Sequence, residues 1–125
     1  MSYSNKQWSF LKDLSLLITF IAKSGWKATG GDLERSYAEQ DRKYGAGLSK
    51  AKGGESRHNY KMAIDLNLWN ADGIYMPYIE RDFGREAHDE MLAEIVEYWE
   101  SLNHKNRAGL NFKTFRDPYH FERGD

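Results

Sequence analysis

The stretch from Met62 to Leu68 constrains the fold most. Met62, Ile64, Leu66 and Leu68 are apolar, while Ala63, Asp65 and Asn67 are small or polar. A period of two over this length predicts a strand with one face in a core and the other facing something polar. An aspartate in the middle of such a strand is costly unless it is hydrated, paired or bound to a metal. His58 stands seven residues before Asp65, so metal ligation enters as a hypothesis for the rest of the chain to answer.

With 125 residues, the chain has the length of one domain, 1–125, with a single core. Its aromatic content of 14%, including four Trp and eight Tyr, suits a packed globule. There is no cysteine, so a disulfide framework and a thiolate zinc site are both excluded. Any metal must be held by His, Asp or Glu. The net charge of −1 gives no case for nucleic acid as a partner. The apolar run Leu14–Ala22 is too short to span a bilayer, and its flanks favour a folded first helix over a signal peptide.

In chain order, Ser4 and Gln7 form a capping-box pattern. Phe10, Leu14, Leu17 and Ile21 follow at helical spacing, supported by Leu11 and Ile18, and Gly25 stands at the C-cap position. Trp26 to Thr29 predicts a short strand ended by Gly30-Gly31. Ser36 and Glu39 open a short helix ending at Gly45, and a Gly-rich, basic loop leads to the central strand. Asn70 to Gly73 reads as a turn, with Ile74 to Tyr78 returning as a hairpin partner. Met91, Leu92, Ile95, Val96, Trp99 and Leu102 stripe a long helix from about Arg85 to Leu102. Its face of Glu90, Glu94, Glu97 and Glu100 is expected to be solvated. Asn103 to Arg116 reads as a polar connection, and Asp117-Pro-Tyr-His-Phe-Glu122 is the last motif.

An open zinc site uses three protein ligands and leaves one position for water. His58, Asp65 and His120 would supply two imidazoles and a carboxylate, a donor set suited to zinc without cysteine. Asp117, three residues before His120, would stand beside the metal and take a proton from the attacking water. Glu122, two residues after His120 on the same strand face, would orient the imidazole. His88 and His104 read as ordinary core or surface histidines.

The pattern Ser56-x-His58-x-x-x-x-Ala63-x-Asp65, followed by Asp117-x-x-His120-x-Glu122, resembles the zinc peptidases of bacterial cell-wall peptides. That family includes D-alanyl-D-alanine carboxypeptidases and the L-alanyl-D-glutamate endopeptidases of phage lysins, and the short lysins look most similar. The resemblance implies a small α+β domain, hedgehog/DD-peptidase-like, with helices packed on a short antiparallel sheet. It implies Zn2+ on His58, Asp65 and His120, Asp117 as general base, and Arg35 contacting substrate or the developing oxyanion. Ser56 matches a family serine near the site. Lys61 departs from the glycine found between the two ligands in many members, which bears on the shape of the cleft.

The expected partner is the peptidoglycan stem peptide. No stable membrane association is expected, and the chain is expected to be a monomer made in the cytoplasm that acts at the cell wall. The rival activities are D-Ala-D-Ala carboxypeptidase and, in another class, a non-catalytic phage structural or wall-binding domain.

Overall fold

The computed structural model describes residues 2–31 and 62–124. Among these, three helices and four strands run in the order α1 (Tyr3–Lys23), β1 (Lys27–Gly30), β2 (Ala63–Trp69), α2 (Met76–Phe83), α3 (Arg85–Leu102), β3 (Asn106–Ala108) and β4 (His120–Arg123). The strands form one antiparallel sheet, ordered β1-β2-β4-β3. This is the expected α+β class. The helix and loop predicted between Ser36 and Glu55 lie outside the described residues, as do Arg35, Ser56, His58 and Lys61.

The alternation in β2 divides the molecule into a core side and a polar side. Ile64, Leu66 and Leu68 join Phe10, Leu14, Leu17 and Ile21 of α1 and Leu92, Ile95, Val96 and Trp99 of α3 in one core. Asp65, Asn67 and Trp69 emerge on the opposite face. At the centre, Trp99 is fully buried, its ring edge-on to Phe10 at 5.7 Å and to Phe121 at 6.2 Å. Its indole N–H donates to the Arg107 carbonyl at 3.1 Å, tying α3 to β3. Trp99→Ala removes all three links and leaves a large void, so a loss of about 3–5 kcal/mol is expected in chemical denaturation.

Five local expectations are corrected. The α1 cap is Ser2, whose hydroxyl accepts from the Asn5 N–H at 3.3 Å, and not Ser4. Leu11 and Ile18 point outward, each 48% exposed, because the core takes a stripe one residue wide at those turns. Ile74 to Tyr78 does not return as a hairpin: Trp69 and Tyr75 make a single bridge, and α2 begins at Met76 with Pro77 in its first turn. The Asn70 side chain enforces this by accepting from the backbone N–H groups of both Asp72 and Ile74, each at 3.0 Å. The connection after α3 holds β3, and Glu100 is not merely solvated. Its carboxylate accepts from the Ala108 N–H at 3.0 Å and from Asn111 at 2.9 Å.

Candidate metal centre

The antiparallel register pairs Asp65 of β2 with His120 of β4 on the polar face of the sheet. His120 Nδ1 lies 2.9 Å from Asp65 Oδ1. Asp117 is brought in by a four-residue turn, Asp117-Pro-Tyr-His120, closed by the His120 N–H donating to the Asp117 carbonyl at 3.2 Å. Aspartate first and proline second suit such a turn, because one tolerates the bend and the other presets φ. Ligand atoms of Asp65, Asp117 and His120 thus lie within 4.8 Å of one another, a spacing that a single cation can bridge.

Two glycines allow this convergence by close backbone approach. The Gly31 N–H donates to the Asp65 carbonyl at 2.8 Å, and the Asp117 N–H donates to the Gly109 carbonyl at 2.9 Å. A Cβ on either glycine would collide with the carbonyl oxygen of the aspartate it faces. Gly109→Ala must therefore displace the Asp117 turn. A shift approaching 1 Å in a reacting group costs on the order of a hundredfold in rate. We expect kcat/KM on the substrate proposed below to fall ten- to a hundredfold, with the chain still folded by circular dichroism.

The imidazole of His120 is held from both sides. Its Nε2 lies 2.7 Å from Glu122 Oε1, and Glu122 in turn pairs with Arg107 of β3. His120 and Glu122 are buried. Burial alone would lower the His120 pKa, but hydrogen bonds to Asp65 and then Glu122 outweigh it and raise it to about 9. For Glu122, burial pushes upward and His120 with Arg107 prevails, holding the carboxyl below its usual range. Without a metal the site is thus an ion cluster with a proton on His120. A cation held by His120 would take the place of that proton, because an imidazole ligates in its neutral form.

Glu80, His88 and Asp89 form a second close group of potential ligands, but a protein cation already occupies it. Arg116 pairs with Glu80 at 2.9 Å and with Asp89. His88, fully buried, lies 2.7 Å from both Asp89 Oδ1 and the Tyr119 hydroxyl. Burial favours the neutral acid of Asp89, yet Arg116 and His88 keep its pKa below the usual range. Burial, reinforced by Glu80, pushes the Tyr119 hydroxyl well above its usual value. Arg116 and Tyr119 bracket Asp117 and precede His120, so this cluster clamps the metal-site turn to α2 and α3. The sequence reads His88 as an ordinary core or surface histidine, and no spacing of Glu80 and Asp89 points toward Arg116.

Asp65, Asp117, His120 and Glu122 are therefore brought together, whereas His58, Arg35 and Ser56 lie outside the described residues. The donors present fit a hard or borderline divalent ion: carboxylates and an imidazole, one of whose nitrogens is anchored by Glu122 while the other faces Asp65.

Residues 49–123 match the family described as D-alanyl-D-alanine carboxypeptidase, in peptidase family M15. The chain is 37% identical over 95 residues to the peptidoglycan L-alanyl-D-glutamate endopeptidase CwlK of Bacillus subtilis strain 168. That alignment takes in 70% of this chain and 55% of CwlK, so the chain spans little more than half of that relative's length. The fold also matches the crystal structure of the Serratia marcescens L-Ala D-Glu endopeptidase ChiX, with TM-score 0.65 and 19% identity over 91% of this chain and 77% of that one. The fold match defines the architecture, a small α+β domain, and the family model spans more than half of the chain. The chain belongs to the peptidase M15 family, whose members are metallopeptidases.

Proposed function

We propose that this domain is a zinc-dependent endopeptidase that hydrolyses the L-alanyl-D-glutamate bond of the peptidoglycan stem peptide. The observation that carries the reading is the convergence of Asp65, Asp117 and His120 on the polar face of the sheet. Asp65 and His120, with His58 as third ligand, would hold the metal, and Asp117 would serve as base rather than ligand. Zinc bound there would supply Lewis acidity toward the scissile carbonyl and a lowered pKa for the attacking water. Asp117 takes the proton from that water and delivers it to the leaving amine. Glu122, itself fixed by Arg107, keeps the His120 ring in its ligating orientation. Arg35 and Ser56 contact the substrate.

The identity to CwlK supports the choice of bond. The resemblance to short lysins supports a bacteriolytic role in a phage or prophage endolysin. The family description favours one alternative, removal of the terminal D-alanine. Digestion of purified sacculi followed by mass spectrometry separates the two. The proposal predicts stems cut after L-alanine, with cleavage abolished by a chelator and restored by zinc. Free D-alanine as the sole product would support the alternative, and intact stems would refute both.

A further inference from the structure

The polar face of β2 continues past the metal centre. Asp65, Asn67 and Trp69 alternate onto that face, so Asn67 lies about 7 Å and Trp69 about 14 Å along the strand from the candidate ligand. The side chains beyond Asp65 form one connected strip. Asn67 Nδ2 donates to Thr29 Oγ1 across the β1–β2 register at 3.1 Å, and the Tyr75 hydroxyl donates to Asn67 Oδ1 at 3.3 Å. The Trp69 and Tyr75 rings lie 4.9 Å apart, and Tyr78, half exposed, meets Tyr75 edge-on at 5.5 Å. None of these groups is needed to close the core, which lies on the other side of the sheet.

We propose that this strip, Asn67 with Trp69, Tyr75 and Tyr78, is a subsite for the N-acetylated amino sugar to which the stem peptide is attached. The inference rests on the proposed cleavage after L-alanine. In peptidoglycan that alanine is joined through a lactyl group to the sugar, so the scissile carbonyl is separated from the sugar ring by about two residue lengths, roughly 7 Å. With the stem laid along β2 in the direction of Trp69, a pyranose centred a few ångströms further would lie over Asn67 and Trp69. The chemistry agrees: a fixed carboxamide with neighbouring hydroxyls matches an acetamido group, and the rings offer apolar area beside two cations that can donate to sugar hydroxyls, Lys27 over Trp69 at 4.2 Å and Arg81 over Tyr78 at 4.4 Å. The part of the stem beyond the cut bond is anionic and offers no ring face to stack.

The test compares the free stem tripeptide with the same tripeptide carrying N-acetylmuramic acid. For the wild-type chain, the sugar should lower KM at least tenfold with kcat unchanged. Trp69→Ala and, independently, Tyr78→Ala should erase most of that gain and leave kinetics on the free tripeptide unaltered, and Trp69→Phe should restore much of it. Equal KM values for the two wild-type substrates, or equal losses on both in the variants, would overturn the subsite. If neither substrate is cut, the endopeptidase reading fails on its own account. The subsite is then judged by titrating N-acetylmuramic acid at millimolar concentration into the 15N-labelled chain. A shift of the Trp69 indole signal supports it. No shift, or a shift produced only by the free tripeptide, overturns it.

Discussion

Asp117→Asn is expected to lower kcat on the muramyl peptide by about a thousandfold while the protein still binds one zinc per chain. General-base catalysis contributes on the order of 10²–10⁴ in rate, and asparagine removes the proton acceptor while keeping the shape. The Asp117 backbone closes the turn and meets Gly109, and asparagine keeps that backbone, so the Asp65–His120 pairing is expected to stay intact. Metal content by mass spectrometry and kcat from the same preparation separate the two roles open to this residue. Loss of zinc together with activity would make Asp117 a ligand, and full activity would remove it from the mechanism.

His120→Ala is expected to abolish both activity and metal binding. The imidazole is the only nitrogen donor among the described residues of this group, and it stands between Asp65 and Glu122. Without it, two carboxylates face each other on adjacent strands, one buried beside Arg107. Removing the central partner of a buried ion cluster leaves uncompensated charge, so a loss of about 3–5 kcal/mol in stability is expected as well. Equilibrium dialysis against zinc and a denaturant titration check the two parts separately. Unchanged zinc affinity would show that the cation sits elsewhere.

These two expectations depend on contacts whose legibility in the sequence differed. The strand at Met62–Leu68 was readable because its side chains alternate between core and polar face. The boundaries of α3 followed from an apolar stripe long enough to fix a helical period. Ile74 to Tyr78 misled because Ile, Tyr and Met suit a strand as well as a helix start. The deciding groups were the Asn70 carboxamide, which bends the chain, and Pro77, which suits a first helical turn. Leu11 and Ile18 are apolar yet exposed, and one sequence does not separate such residues from core.

The site divides in the same way. Asp117 and His120 share a turn, and His120 and Glu122 share a strand face, so their proximity is local and follows from spacing. Asp65 and His120 meet across 55 positions through strand register; the donor chemistry and the resemblance to the cell-wall peptidases suggest the pair, and local spacing does not. The Arg116 clamp and the Arg107–Glu122 pair join elements that the sequence leaves unconnected, so neither was foreseen.

The claim beneath all of this is that β2 and β4 present one cation to the substrate from their shared polar face. Crystals of the protein grown with zinc and measured across the zinc absorption edge test it directly. The account predicts one anomalous peak about 2.0–2.2 Å from a nitrogen of His120 and from a carboxylate oxygen of Asp65, with Asp117 beyond ligating distance. A peak at Glu80 and Asp89 instead, or none near the sheet, would contradict it.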